Sequence, residues 1–190
     1  MKNILFFGSF SLYDWNELRQ RQQNIVDLMK KEHRIFYIQR ISAKNAGAVA
    51  ISRTIFRWIL AKLRIGSSSP RNENLSFIQL KLMPFRNRFF RIVNKRIIIL
   101  QIKRIMRQYD ITFFDDVIIS HPADYVNDTF DKIPAKKIIC DCVQRFEFNS
   151  FFPGEVVDYD RNISTKADVV IVDSITILND KKPLNKEIIR

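Results

Sequence analysis

The sequence contains few of the residues that mark common enzyme classes. It has only four glycines, two cysteines and two histidines in 190 residues. The first apolar run is followed by Gly8-Ser9-Phe10-Ser11, which lacks the G-x-G-x-x-G pattern of dinucleotide sites, and no G-x-x-x-x-G-K-[ST] phosphate loop occurs. The chain also has no G-x-S-x-G elbow and no Cys/His cluster with zinc spacing. These absences argue against NAD-type oxidoreductases, P-loop NTPases and esterases, and we predict neither a cofactor nor a metal ligand.

Long hydrophobic runs are also missing. The most apolar later stretches, such as residues 97–102, are a few residues long and flanked by Arg and Lys, whereas a membrane-spanning helix needs roughly 18 apolar residues. The opening run is too short for the apolar part of a signal peptide. We therefore predict a cytoplasmic protein that is soluble or peripheral on the inner face of the cell membrane. Cys140 and Cys142 are predicted to point to opposite faces of a strand and to be reduced thiols.

What the sequence does contain is an uneven excess of positive charge. The net charge is +12, and residues 53–107 alone carry 14 Lys and Arg against one acidic residue, Glu73. The residues after this third of the chain are acidic overall. The excess therefore indicates a basic surface patch and not a general property of the protein.

Short apolar runs alternate with longer segments of helical periodicity. Strands are predicted over residues 3–7, 34–38, 75–82, 117–120, 137–141 and 169–172. Helices are predicted over residues 17–31, 49–63, 87–109 and 155–166, the first with an Asp14-x-x-Glu17 capping box, and a further helix is expected after Pro122. Alternation of this kind predicts an α/β fold with a doubly wound, mainly parallel Rossmann-like sheet of about six strands, helices on both faces and the order 3-2-1-4-5-6. Residues 1–190 are predicted to form a single domain.

Several short motifs resemble, in their order and spacing, the amino-terminal domains of bacterial GT-B glycosyltransferases of the retaining family 4-like or family 1-like group, above all those of surface-polysaccharide assembly. A tryptophan, Trp15, precedes a helix start of the type Gln-Arg-Pro-Gln, which reads Gln20-Arg21-Gln22-Gln23 here. Later motifs are a strand ending in His-Pro, a strand ending in Asp-Cys, a Phe-Pro-Gly turn and an Ala-Asp-strand-Ser element. They correspond to His121-Pro122, Asp141-Cys142, residues 152–154 and residues 167–174.

The resemblance implies the acceptor-side half of an enzyme that moves a sugar from a nucleotide-sugar donor to a lipid-linked or polysaccharide acceptor. In such enzymes a second, carboxy-terminal Rossmann domain binds the donor, and we expect that domain to be absent from this chain, which would leave it incomplete as a catalyst. The alternative is a non-catalytic module that binds a polyanion or nucleic acid. Nucleic acid is the less favoured partner because no helix-turn-helix, RNP or zinc pattern is present.

Ligands of doubly wound sheets gather at the carboxyl ends of the strands. There we predict His121 as the catalytic residue, which donates a hydrogen bond to the sugar or relays a proton from the acceptor, beside the acidic pair Asp115-Asp116. Its alternative role is a structural one, capping the next helix or bonding to a loop. The backbone N–H groups of Gly8 and Ser9 are predicted to approach a diphosphate, or to form only a tight turn.

Three further residues are candidates for donor or acceptor binding. Trp15 and Arg21 are predicted on the acceptor side of the cleft, with a hydrophobic staple and a solvated helix face as their respective alternatives. Asp141 is predicted either to hold a sugar hydroxyl or to stabilise a loop.

The basic third of the chain interleaves cations with apolar and aromatic side chains. This pattern suits an anionic membrane surface, and the predicted membrane-facing residues are Arg88, Arg91, Lys95 and Arg96. The alternative is a helix packed on the core whose cations are solvated.

Overall fold

The computed structural model of the protein describes residues 1–10, 15, 20–39, 70–72, 74–83, 88–148 and 154–190. In these residues eight strands form one sheet with the order β3-β4-β2-β1-β5-β6-β7-β8. All neighbouring strands are parallel except β3 and β4, which are antiparallel. The strands are β1 (Asn3–Phe7), β2 (Arg34–Ile38), β3 (Pro70–Asn72), β4 (Leu75–Ile78), β5 (Phe114–Ile119), β6 (Ala135–Cys142), β7 (Val169–Val172) and β8 (Ile188–Ile189).

Five α-helices lie in the described part of the chain. They are α1 (Arg21–Met29), α2 (Arg88–Gln108), α3 (Asp124–Asn127), α4 (Glu155–Lys166) and α5 (Ile175–Lys181). The six predicted strands correspond to β1, β2 and β4–β7, and they occur in the predicted order 3-2-1-4-5-6. The predicted α/β class is thereby confirmed. The edge strands β3 and β8 were not predicted, because two or three residues are too few to show a period.

The central strands are buried on both faces, which explains their continuous apolar sequences. Alternate residues of β1 point to opposite sides, so Leu5 and Phe7 join one core cluster while Ile4 and Phe6 join the other. The first cluster is covered by α2 through Ile98, Ile102 and Met106, which recur at helical spacing. The second is covered by α1 through Val26. Each such side chain contributes about 1.5–3 kcal/mol on burial.

The start of α1 differs from the prediction. Gln20 has an extended backbone, with φ −122° and ψ 177°, and is the N-cap of a helix that begins at Arg21. The backbone N–H of Gln20 donates to Gln23 Oε1 at 2.8 Å, which completes a capping box built from two glutamines. The predicted capping box, Asp14-x-x-Glu17, lies outside the described residues, as does the predicted helix over 49–63.

The start of β5 also differs, because the strand begins three residues earlier than predicted. Asp115 and Asp116 lie inside it, where Asp115 Oδ2 accepts from the backbone N–H of Asn3 at 2.8 Å and Asp116 Oδ2 pairs with Lys2 Nζ at 2.9 Å. They occupy the amino end of the strand, about 16–20 Å of extended chain from His121. The expectation that this acidic pair lies beside His121 was therefore wrong.

Candidate functional site

A cavity of about 240 Å³ opens where the strand order reverses, between β1 and β5. Its walls come from the segments that follow β1, β5 and β6, and from the first turn of α1. Its lining includes Ser9, Arg21, Gln22, Ser120, His121, Cys140, Asp141, Cys142 and Asp160. In doubly wound folds this carboxyl-edge crevice is the place where ligands bind. We call this cavity the switch-point pocket.

One wall of the switch-point pocket is a network around Asp141, the last polar residue of β6. Arg21 Nη2 donates to Asp141 Oδ1 at 2.8 Å, and Ser120 Oγ donates to Asp141 Oδ2 at 3.0 Å. Asp173 Oδ2 lies 3.9 Å from Arg21 Nη1 and adds a second, more distant carboxylate. Burial raises the pKa of Asp141 above its usual range, although the Arg21 charge and the Ser120 hydroxyl act in the opposite direction. Arg21 is thus held by the fold at the pocket and is not a purely solvated side chain.

The turn after β1 is tied together by hydrogen bonds of its own. Gln22 Oε1 accepts from the backbone N–H and from the hydroxyl of Ser9, both at 3.1 Å, and from the Tyr37 hydroxyl at 3.4 Å. The Gly8 N–H donates to the carbonyl of Ile38 at 3.1 Å. The Gly8 and Ser9 N–H groups, predicted to approach a diphosphate, therefore already have acceptors within the chain.

Gly8 is required by close packing and not by its backbone angles. A Cβ built at this position would lie 1.9 Å from the Tyr37 hydroxyl oxygen and 2.0 Å from the adjacent ring carbon. No glycine in the described residues has a positive φ. The Tyr37 ring passes directly over the turn, and only a residue without a side chain fits beneath it.

His121 lies where the sequence predicts, two residues beyond the end of β5 and in the wall of the switch-point pocket. It is 9% exposed. The helix that follows it, α3, has Ala123 as N-cap and no side-chain cap. The catalytic role and the structural role of His121 both stay predictions.

Trp15 lies apart from the lining of the pocket. Its ring makes edge contacts with Tyr37 and Phe77 at centroid distances of 4.9 and 5.0 Å. It packs on the second core cluster, against the sheet face that α1 covers. Its described contacts are those of an apolar anchor.

A second buried polar cluster lies beneath the pocket, on the side of β6 that faces α4. Cys140 and Cys142 are both free thiols whose sulfur atoms are 3.2 Å apart. The prediction that they point to opposite faces was wrong, because residues two apart in a strand share a face. The hydrogen bond with Cys142 and burial raise the pKa of the Cys140 thiol. Asp160 of α4 is 7% exposed, and burial raises its pKa even though Lys181 of α5 binds its Oδ2.

The basic helix α2 has an outward-facing stripe that combines apolar and positively charged side chains. Phe89, Ile92 and Leu100 are 67%, 52% and 62% exposed. Arg96, Lys103 and Arg107 are exposed as well, and all six residues follow one another at spacings of three and four, so they share one face. We call these six residues the outward stripe. No helix in the described ranges is both long enough and apolar enough to cross a membrane.

The four predicted membrane-facing residues have different surroundings. Arg88 and Arg96 are exposed and Lys95 is half-buried. Arg91 makes a bidentate ion pair with Asp128 of the α3 end, at 2.5 and 2.7 Å, and its guanidinium also lies 5.4 Å from the Tyr159 ring centroid. Asp128 holds the pKa of Arg91 above its usual range. Arg91 therefore links α2 to its neighbours.

Sequence reasoning missed several residues of the pocket. Gln22 is predicted only as a member of the first helix that departs from proline, and Ser120 only as the end of a strand that runs into His121. The position of Ser120 directly after a buried strand was a usable signal, because that is where pocket residues lie in such sheets. Nothing local in the sequence indicates that Gln22 accepts bonds from Ser9 and Tyr37.

No protein-family model matches the sequence, and no curated protein matches it. Among solved structures the chain is similar to a ugt transferase from Siraitia grosvenorii in complex with UDP, with 10% identity and a TM-score of 0.47. The match covers 94% of this chain and 46% of that structure. A TM-score below 0.5 does not establish a shared fold.

Proposed function

We propose that this chain is the acceptor-side domain of a glycosyltransferase, which moves a sugar from a nucleotide-sugar donor to a lipid-linked or polysaccharide acceptor. The observation that supports this best is the switch-point pocket, which brings together Arg21, His121 and Asp141, each predicted from a different motif of the glycosyltransferase resemblance. These residues come from α1, the β5 end and β6, which are distant in sequence. The proposal includes a donor-binding domain outside these residues, and a cytoplasmic location.

His121 is the proposed catalytic residue of this pocket. An imidazole can donate a hydrogen bond to the transferred sugar or accept the proton of an attacking hydroxyl, and this kind of assistance contributes typically 10²- to 10⁴-fold to a rate. Ser120 and Asp141 lie on the same wall and offer oxygen atoms to sugar hydroxyls. Arg21 supplies the positive charge that an anionic donor or a diphosphate-linked acceptor requires.

The proposal is tested by mapping backbone amide NMR shifts of the isotopically labelled chain during titration with a polyprenyl-diphosphate-linked sugar. Shifts at Ser9, Arg21, Ser120 and His121 are the expected result, with loss of saturable binding in His121→Ala. A UDP-hexose alone is expected to bind weakly, because the donor belongs mostly to the second domain. Shifts confined to α2, or none with either lipid-linked or soluble oligosaccharides, would contradict the proposal.

We further propose that the outward stripe of α2 rests on an anionic membrane surface. Its three apolar side chains can enter the interface, while its three cations lie at the level of the lipid phosphates. Each cation near such a surface is worth about 1 kcal/mol. Location at a membrane would bring a lipid-linked acceptor to the enzyme. Nucleic acid is the competing partner, and a binding competition between vesicles and nucleic acid distinguishes the two.

A further inference from the structure

The buried cluster beneath the pocket has the composition and the separations of a metal site. We propose that Cys140, Cys142 and Asp160 bind one Zn²⁺ ion, with the Ser164 hydroxyl as the fourth ligand. All three primary donors are buried, and their ligand atoms lie within 4.8 Å of one another. The site is independent of the glycosyltransferase proposal, because none of its ligands has a role in that proposal.

Three of the separations between these ligand atoms fit tetrahedral coordination. Zinc bonds of about 2.3 Å to sulfur and about 2.0–2.2 Å to oxygen place neighbouring ligand atoms about 3.6–3.8 Å apart. Cys142 Sγ lies 3.7 Å from Asp160 Oδ1, and Ser164 Oγ lies 3.8 Å from Cys140 Sγ and 3.7 Å from Cys142 Sγ. The two sulfur atoms, 3.2 Å apart, would have to separate by about half an ångström.

The orientation of the carboxylate also fits. Lys181 Nζ binds Asp160 Oδ2, which leaves Oδ1 directed at Cys142. Ligating carboxylates are normally held by such outer partners, which fix their orientation. Lys181 is 6% exposed, so its side chain belongs to the site and not to the solvent.

The charges balance in both states. With protonated thiols, the Asp160 carboxylate and the Lys181 ammonium cancel. With zinc bound, two thiolates and one carboxylate oppose the dication and the ammonium, so the sum is again zero. Binding therefore releases one proton from each thiol, and the buried site gains no net charge, which would be costly there.

Access and ligand type fit zinc and exclude hard cations. Cys140, Cys142 and Asp160 also line the floor of the switch-point pocket, which provides an entry path for the ion. Thiolates select zinc and other soft ions over magnesium or calcium. A C-x-C pair whose third ligand follows 18 residues later on a helix has none of the usual zinc spacings, which is why sequence reasoning predicted no metal.

The test uses the purified, fully reduced chain titrated with Zn²⁺ against a chromophoric chelator, and with Co²⁺ to report thiolate coordination. We expect one ion per chain, a thiolate-to-cobalt charge-transfer band, and two protons released per zinc. Cys140→Ser and Cys142→Ser should weaken zinc binding by more than about 100-fold, since outer-shell partners alone are worth about 10- to 100-fold. Asp158→Asn, an exposed acid on the same helix, should leave it unchanged.

A second measurement covers variants that fail to fold. The chain has only two cysteines, so modification of the unaltered protein by a thiol reagent reports on this site alone, and zinc should slow it for both thiols. The proposal would be overturned if zinc did not protect the thiols, or if zinc binding survived both serine substitutions. It would also be overturned if the only response were a Cys140–Cys142 disulfide that forms without zinc.

Discussion

The guanidinium of Arg21 and the carboxylate of Asp141, 120 residues apart in sequence, form a 2.8 Å ion pair in one wall of the switch-point pocket. The pair joins the first turn of α1 to the end of β6. Asp141 is nearly inaccessible to solvent, with 4% of its side chain exposed, whereas 38% of the Arg21 side chain is exposed. Loss of the pair would therefore leave the Asp141 carboxylate buried without its counter-charge, whereas water could still solvate the Arg21 guanidinium.

Arg21→Gln should lower the free energy of unfolding by about 1.5–3 kcal/mol, which is typical for loss of a hydrogen bond to a charged group. Urea denaturation followed by circular dichroism measures this. The matched control is Lys136→Gln, which removes the ion pair of Lys136 with Asp115, where 60% of the lysine side chain is exposed. Exposed pairs of this kind contribute about 0.2–1 kcal/mol. Equal effects of the two substitutions would show that the Asp141 environment is not as buried as described.

The loss of unfolding free energy caused by Arg21→Gln should also depend on pH. Burial already raises the pKa of Asp141, and loss of Arg21 raises it further. A raised pKa favours folding below the unfolded value of about 3.9, and this benefit disappears as the pH rises through the folded pKa. Asp141 is protonated in both proteins at low pH, so the difference between them should be largest near neutral pH and shrink on acidification. If the difference in unfolding free energy between the two proteins did not change with pH, it would come from lost packing and not from the Asp141 charge.

Gly8→Ala should destabilise the fold by about 1–3 kcal/mol, the usual cost of overpacking. The added Cβ would meet the Tyr37 ring, which is fully buried and cannot move aside cheaply. Gly154→Ala is the control, because nothing lies within 4 Å of a Cβ at that position, and its effect should stay within about 0.5 kcal/mol. Thermal denaturation of the two variants distinguishes them, and similar melting temperatures would show that Tyr37 does not cover Gly8.

The purified chain should transfer no sugar at a useful rate when supplied with UDP-hexoses and a lipid-linked acceptor. The leaving diphosphate needs preorganised donors in the transition state, and the N–H groups of Gly8 and Ser9 are already bonded within the chain. A radiolabelled transfer assay measures this, with a complete glycosyltransferase as positive control. Clear turnover by the 190 residues alone would contradict the expectation of a second domain.

Reversing Arg96, Lys103 and Arg107 to Glu should abolish binding to anionic vesicles in a sedimentation assay. At about 1 kcal/mol per cation, losing three attractions alone weakens binding by more than about 100-fold. Binding by the unaltered chain should weaken as salt rises, since charges are screened beyond about 8 Å at 0.15 M. The control reverses three exposed cations elsewhere, Arg161, Lys182 and Lys186, for the same change in net charge.

Salt dependence alone does not separate a membrane from nucleic acid, so a competition is needed. Anionic vesicles and single- or double-stranded nucleic acid are offered at equal total charge. Replacing Phe89 and Ile92 by Ser should reduce vesicle binding and leave nucleic-acid binding nearly unchanged. Preference of the unaltered chain for nucleic acid would overturn the membrane proposal. Equal loss of vesicle binding in the stripe reversal and in the control reversal would show that binding depends only on net charge.

Much of the fold follows from local signals in the sequence. The β1, β2 and β7 strands and the α4 helix have the predicted bounds, because each is a continuous apolar run or an amphipathic period ended by a clear change of composition. The β5 strand was predicted too short because Asp115 and Asp116 are polar, and their partners, Lys2 and the Asn3 backbone, become neighbours only in the folded sheet. Local propensity cannot report such long-range pairing.

The candidate site was predictable in position but not in its connections. The rule that ligands gather at carboxyl strand ends correctly placed His121 and Asp141 at one edge of the sheet. The ion pair of Arg21 with Asp141 could not be predicted without the tertiary fold. The same is true of the proximity of Cys140 to Asp160. Trp15 was placed by analogy, and the structure shows that its neighbours are core aromatics.

Three hydrogen bonds meet at Gln22 Oε1, in the place that a ligand oxygen would take if the Ser9 turn bound an anion. The Ser9 backbone N–H can only donate, so the atom that it reaches must be the amide oxygen. An incoming phosphate oxygen would exchange these bonds for similar ones, and such exchanges are worth little in net free energy. Discrimination among ligands would then depend on other residues that line the pocket, such as Arg21 and His121. Proline at position 22, which is common in the glycosyltransferases that the sequence resembles, would leave the Ser9 donors open to a ligand.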